Sequence, residues 1–341
     1  MEKPRVGLDA RCGRRISDGM ATAIREVVRR LPAVAPEFEY EIYAKGENLG
    51  LSEQIALPLA MRRDRIALAH YMAHYVPYFA SGRFVVTIYD LIHLRYKRFF
   101  RAYIEPYYRT VVRKAVRNAA FVITNDRKTV GDLVHFFDIA PEKVRVIPLA
   151  AREAFLEPVE PHRAPRPYLL HVGNHRRHKD LPTLLRAWRA LPPEYEVDLY
   201  LTGADDLGPL AGDGDRHGSR RRLVFLGRVD DRRLAAYYAG AVALVQSSLL
   251  EGFGLPIAEA MAVGCPVIAT ETALPEVLAG AARAFPAGDV EALRVHLQQL
   301  MDDSDARTVM IERGRSTARA LSWERTARLI ADVYAEALDD R

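Results

Sequence analysis

The chain has 341 residues, 49% apolar and 27% charged, a balance that suits a folded protein and excludes a disordered one. That length is about twice an ordinary domain, so two domains are expected. No run reaches the roughly 20 apolar residues of a membrane span, and MEKPRVGLDA passes straight into a strand pattern without a secretory segment, so a cytosolic protein is expected.

Taken in order, short β-type runs at 5–8, 40–43, 84–89, 121–124 and 144–148 alternate with helical patterns in the first half. The second half repeats the scheme with runs at 168–172, 197–202, 223–225, 242–246 and 266–270. Strands alternating with helices predict an α/β chain of parallel sheets covered on both faces, here two Rossmann-like doubly wound domains. EPVEPHRAPRP at 157–167 has the prolines and charges of an exposed linker. The expected domains are therefore 1–158 and 159–322, with an amphipathic helix at about 323–338 packing back across the linker. Ligands bind such sheets at their switch points, so the site is expected in a cleft between the domains. Cys12 and Cys265 lie far apart, with no redox or metal-ligand spacing.

The net charge of +5 is unevenly distributed. Between 95 and 117, eight basic residues (Arg95, Lys97, Arg98, Arg101, Arg109, Arg113, Lys114, Arg117) face Glu105 alone, interleaved with Tyr96, Phe99, Phe100, Tyr103, Tyr107 and Tyr108. Two readings stay open: a solvated helix face with aromatics turned inward, or contact with an anionic membrane or lipid-linked acceptor. A nucleic-acid backbone would suit the same mixture, but no nucleic-acid partner is expected.

The segment 247–270, SSLLEGFGLPIAEAMAVGCPVIAT, follows an apolar strand run. Gly252, Phe253 and Gly254 suit a tight turn, Pro256 suits a helix first turn, and Gly264 suits its end. Uncapped N–H groups at a helix start present donors and a partial positive charge to phosphate or sugar oxygens. Glu259, one turn inside, has two acceptor oxygens for paired ribose hydroxyls. Glu251, on the loop, would meet the sugar end; a generic strand, loop and helix, with Glu259 merely favouring the helix dipole, stays open on residue types alone.

The string EGFGLPIAEAMAVGCPVIAT, with Glu251 and Glu259 spaced E-x7-E, resembles the donor signature of the family 4 (group 1) retaining glycosyltransferases of GT-B fold. The resemblance extends over nearly the whole chain and weakens away from this motif. YLLHVGNHRRHKDLPTLLRAW, from Tyr168, is similar to the family's diphosphate-binding strand and loop. Lys179 stands at its lysine, whereas Asn174 replaces its arginine, leaving Arg176 and Arg177 to supply a second cation. VFLGRVDDRRLAAYYAGA resembles the segment that receives the base on backbone atoms, here Gly227, Arg228 and Val229. The resemblance thus implies donor contacts from Gly19, Asn174, Arg176, Lys179, Gly227, Val229, Glu251, Gly252, Phe253, Gly254, Leu255 and Glu259. Gly19 would stand on the glycine-bearing loop after the first strand.

FVVTIYDLIHL is similar to the family's His-Asp-Leu loop, with Tyr89 in place of the histidine, Asp90 retained and His93 three residues on. HYMAHYVPYF, from His70, resembles the preceding acceptor loop, with His74 at its histidine. The implied catalytic groups are Glu251, Lys179 and Asp90, and the acceptor-side candidates are His74, Tyr89 and His93. No cofactor is implied, because the nucleotide sugar is a substrate. No metal is implied either: Asp213 with Asp215 and Asp303 with Asp305 have D-x-D spacing but lie in polar stretches rather than after an apolar strand.

The activity implied is transfer of a hexose, for example mannose or glucose, to an acceptor hydroxyl with its anomeric configuration kept. The acceptor would be a saccharide or lipid-linked intermediate of polysaccharide, lipopolysaccharide or glycolipid synthesis, met in the cytoplasm at the inner membrane face. Two other readings stay open. One is a catalytically weakened partner protein that binds nucleotide sugar, which donor turnover would separate. The other is a nucleotide-sugar epimerase, which would convert donor without acceptor.

Overall fold

The computed structural model describes residues 3–11, 16–46, 50, 53–208 and 221–339. The chain divides into two units, Met1–Leu149 with Ser322–Arg341, and Ala150–Leu321.

The first unit carries six parallel strands: β1 (Arg5–Asp9), β2 (Glu39–Tyr43), β3 (Leu68–Tyr71), β4 (Phe84–Thr87), β5 (Val122–Thr124) and β6 (Val144–Val146). Their order is β2-β1-β3-β4-β5-β6, which reverses direction between β1 and β3. Helices α1 (Asp18–Val34) and α2 (Glu53–Arg63) lie between the early strands. After β4 the chain runs through α3 (Ile92–Arg95), a 3-10 turn (Lys97–Phe99), α4 (Ile104–Tyr107), a π turn (Tyr108–Val112) and α5 (Arg113–Asn118), and α6 (Arg127–Phe137) follows β5. Tyr71, Val86, Ile88, Val116, Leu133 and Phe137 bury against one another and drive this sheet and its helices together.

The second unit also has six parallel strands: β7 (Tyr168–His171), β8 (Asp198–Leu201), β9 (Leu223–Phe225), β10 (Ala243–Gln246), β11 (Val267–Thr270) and β12 (Arg283–Phe285). The order β12-β11-β10-β7-β8-β9 is the Rossmann order, and its switch point falls between β7 and β10. The helices are α7 (Leu181–Arg189), α8 (Asp231–Gly240), α9 (Leu255–Val263), α10 (Glu276–Ala279), α11 (Val290–Asp302) and α12 (Ser304–Arg319). The division between units precedes the proline-rich linker. Its cause is the Glu153–Phe155 turn: Phe155 is fully buried against α8, edge-on to Tyr238 at 5.8 Å.

The last helix, α13 (Trp323–Asp339), belongs to the first unit and packs on α1. Arg30 Nε donates to Glu324 Oε1 at 2.5 Å, and Thr326 Oγ1 donates to the Pro148 carbonyl at 2.8 Å. Two strands escape the sequence pattern. In β3, a polar residue occupies a fully buried position: His70 lies between the Tyr334 hydroxyl (2.6 Å, to Nδ1) and Thr87 Oγ1 (2.8 Å, to Nε2). With both ring nitrogens partnered, the imidazole can sit inside the sheet. The short edge strand β12 offers only one buried residue, Phe285, as a signal.

Candidate active site

The loop after β10 is joined to the turn after β7 at the switch point. Ser247 and Ser248 are fully buried. Ser247 Oγ donates to the Lys179 carbonyl at 2.9 Å, the Leu249 N–H donates to the His178 carbonyl at 2.8 Å, and Thr270 Oγ1 donates to the Ser248 carbonyl. Across this frame Lys179 Nζ donates to Glu251 Oε1 at 2.5 Å, and Ser248 Oγ donates to the same oxygen at 2.6 Å. Burial pushes the Glu251 carboxyl up, but the Lys179 charge and the two hydrogen bonds outweigh it and hold the group below the ordinary carboxylate range. The site therefore holds an ionised Glu251 carboxylate against the Lys179 side chain.

Gly254 then turns the chain with φ +67°, and a Cβ there would stand 3.1 Å from Ile257 Cδ1, so the position favours glycine twice over. The helix α9 starts here without a side-chain cap, leaving first-turn N–H groups for an outside acceptor. Phe253 and Leu255 have buried side chains, so what they can present to a ligand is backbone. Glu259, 3% exposed, receives Arg152 Nε on Oε1 at 2.8 Å. Burial lifts its pKa to about 7, against the opposing charge and hydrogen bond of Arg152.

The remaining donor candidates fall into two groups. Asn174 is exposed, and its Oδ1 accepts from the Arg176 N–H at 3.3 Å in a local turn; Arg176 and Arg177 are exposed cations. Gly227, with φ +66°, exchanges both backbone hydrogen bonds with Gly203 (2.9 and 3.1 Å). Gly19 lies in the first turn of α1 rather than on a loop, because Ser17 caps the helix by accepting from the Met20 N–H at 3.4 Å.

In the first unit, the structure brings His74 and His93 into one aromatic cluster with Tyr108. His74 is 7% exposed, its ring 4.1 Å from Tyr75 and 5.3 Å from Tyr108, and burial lowers its pKa to about 3. His93 is half-buried, with Nδ1 3.0 Å from the Tyr108 hydroxyl. Tyr89 and Asp90 are half-buried just past β4, and Asp90 Oδ1 accepts from the Ile92 N–H at 3.1 Å.

Among the described residues, no three His, Cys, Asp or Glu side chains cluster as a metal set. Asp303 caps α12, accepting from the Ala306 N–H at 2.8 Å, while Asp213, Asp215 and Cys12 lie outside the described residues.

Sequence reasoning missed three groups. Arg152 is one, since 107 positions separate it from Glu259. The others are His171 and Gln246, buried at the ends of β7 and β10. His171 Nδ1 donates to the Val245 carbonyl (3.0 Å) and Gln246 Nε2 to the Val172 carbonyl (2.7 Å), while His171 Nε2 and Gln246 Oε1 have no partner among the described residues. Their signal was a polar residue at each strand's C-terminal end, beside the switch point.

Residues 166–303 match the model of the family described as "Glycosyl transferases group 1". The chain is 36% identical over 175 residues to the O-antigen chain mannosyltransferase B of Escherichia coli, covering 49% of this chain and 45% of that protein. It spans about half the length of the curated relatives it matches. Among solved structures, the sucrose-phosphate synthase from Thermosynechococcus elongatus superposes with TM-score 0.79 at 20% identity, over 98% of this chain and 99% of that one. Anabaena HepE in complex with UDP-glucose gives 0.73 at 17%, over 98% and 100%. Residues 166–303, within the second unit, thus resemble the group 1 glycosyltransferases, and the two Rossmann-like sheets have the GT-B fold.

Proposed function

We propose that the protein transfers a hexose from a nucleoside diphosphate sugar to an acceptor hydroxyl, with retention and without a metal, in cell-envelope polysaccharide, lipopolysaccharide or glycolipid synthesis. The buried Lys179–Glu251 pair at the switch point carries this reading. As the glycosidic bond breaks, negative charge grows on the departing diphosphate, and stabilising that charge lowers the barrier. Lys179, Arg176 and the open start of α9 supply positive charge, and Glu251 steadies the sugar hydroxyls. Glu259 accepts the two ribose hydroxyls. The leaving phosphate takes the proton of the incoming hydroxyl from the same face, so no separate general base is required. Asp90, Tyr89 and His93 form the acceptor side. Mannose is favoured as the sugar by the mannosyltransferase relative, and the HepE complex with UDP-glucose supports a nucleotide sugar as donor.

The test is a panel including GDP-mannose and UDP-glucose, screened by melting temperature, since a ligand of the native state raises it, and then by transfer to acceptors. Glu259→Ala is expected to weaken donor binding and Glu251→Ala to lower kcat. Unchanged kinetics in both variants would reject the site. Donor binding with no turnover on any acceptor would favour a weakened partner protein, the reading motivated by Tyr89 and Asn174.

We also assign the anionic inner face of the membrane as the place of work. Arg98, Arg101 and Lys114 are exposed, as are Tyr103 and Phe79 at 64% and 61%, and Lys114 Nζ lies 3.7 Å over the Tyr78 ring. Arg95 and Arg117 are paired with Asp132 and Asp138, and Arg113 Nε is buried, so these three contribute less. Arg98→Glu with Arg101→Glu should abolish salt-sensitive flotation with anionic liposomes. No flotation of the parent protein at low salt would remove the assignment. Among the described residues no helix is long and apolar enough to cross a membrane.

A further inference from the structure

Arg152 stands at the start of the Glu153–Phe155 turn, between two helices of the second unit. Its Nε donates to Glu259 Oε1 at 2.8 Å, its Nη1 donates to Asp231 Oδ1 at 2.5 Å, and its guanidinium carbon lies 4.7 Å from the Phe155 ring centroid. A carboxylate at the head of α8, a carboxylate inside α9 and a buried ring thus fix a planar fork in three directions. The two acids differ in setting: the Glu259 side chain is 4% exposed and that of Asp231 is 46% exposed. Asp231 keeps much of its hydration and serves to orient the guanidinium. Glu259 has lost its water and depends on that guanidinium for its charge.

We propose that Arg152 is a positioning residue for donor binding: it fixes the Glu259 carboxylate in charge and direction through Oε1 and leaves Oε2 for the hydroxyls of the donor's ribose. This rests on the reading of Glu259 as the ribose-binding group. Arg152 touches no reacting atom and acts through Glu259 alone. The electrostatics agree. Burial raises the Glu259 carboxyl to about 7, Arg152 is the main opposing influence, and Asp231 raises it further. Of the other groups near Glu259, the buried Tyr238 phenol of α8 opposes the rise less than Arg152 does, and Arg315 of α12 donates to the Val263 carbonyl at the far end of α9. No other cation is placed to replace Arg152 among these.

The test is calorimetric binding of UDP and GDP from pH 6 to 9, with donor KM and kcat. Binding to the parent protein should strengthen through a midpoint near pH 7. Arg152→Gln should move that midpoint upward, weakening binding at pH 7 by about tenfold per unit moved, and should raise KM while kcat at saturation is kept. Arg152→Lys retains the charge without the fork and should hold the midpoint, with a smaller loss of affinity. In a Glu259→Gln background, Arg152→Gln should leave the pH profile unchanged, because the two residues act as one. Parent-like affinity and midpoint in Arg152→Gln, with binding lost in Glu259→Gln, would overturn the inference and spare the ribose reading. Parent-like binding in Glu259→Gln would overturn both. Should Arg152→Gln not fold, Arg152→Lys decides, and parent-like binding at every pH would overturn the proposal.

Discussion

Replacing Lys179 with alanine leaves the Glu251 carboxylate in a buried setting, with the Ser248 hydroxyl still donating to it. The side chains of Lys179 and Glu251 are 11% and 17% exposed, so little water can take the ammonium's place. Removing one partner of a buried pair costs about 3 kcal/mol, the low end for full burial. For a unit of this size that lowers the melting temperature by roughly 6–12 °C, measurable by differential scanning calorimetry at pH 7. The sign of the pH dependence is a second signature. In the parent protein the Glu251 carboxyl lies below its ordinary value, so its contribution is present above about pH 4.5 and lost as pH falls through the folded value. Without Lys179, burial dominates and the carboxyl rises. The folded form then holds the proton more tightly than the unfolded one, and the deficit shrinks on acidification toward about pH 5. Lys179→Ala with Glu251→Ala should be more stable than Lys179→Ala alone, because no stranded charge remains. A single variant melting within about 1 °C of the parent, or a double variant losing the sum of both singles, would refute the reasoning.

Two further outcomes follow from the packing. Tyr334→Phe removes the partner of His70 Nδ1 inside the first sheet and should cost about 1–3 kcal/mol in urea unfolding; an unchanged midpoint would show that the imidazole finds another partner. Gly264→Ala places a side chain at φ +98°, with its Cβ 2.4 Å from Arg315 Nε, and displaces the Arg315 bond to the Val263 carbonyl. A loss of about 1–2 kcal/mol is expected, and no loss in thermal melts would show that the arginine moves aside freely.

The second unit was the more legible half because its strands are apolar runs bounded by loops that carry the chemistry. The glycines at 254 and 264 declare positive φ, and the strand before Ser247 declares the sheet. The first unit was harder. His70 and His74 stand four residues apart in one stretch, and both look functional as letters. One completes a buried hydrogen-bond chain to α13 and the other packs among tyrosines, a distinction that only tertiary contacts make. Gly19 was readable after all: Ser17 followed by Asp18 is a helix-start signal, so the glycine belonged to the helix. Arg152 could not have been found, since nothing in a turn near position 152 indicates a partner on a helix at 259.

The order in which the chain is made gives the α1 and α13 pairing a temporal meaning. The residues of the second unit, Ala150–Leu321, form one uninterrupted stretch, whereas the first unit draws on both sides of it. During synthesis, domains generally fold as they emerge. The second unit can close before Trp323 has left the ribosome, while the first must wait for Glu324 to reach Arg30 and for Tyr334 to reach His70. Until then α1 exposes the apolar face that α13 will cover, and the first sheet lacks the hydroxyl that makes its buried histidine tolerable. Of the two units, the one that begins earlier in the chain is therefore the one completed later.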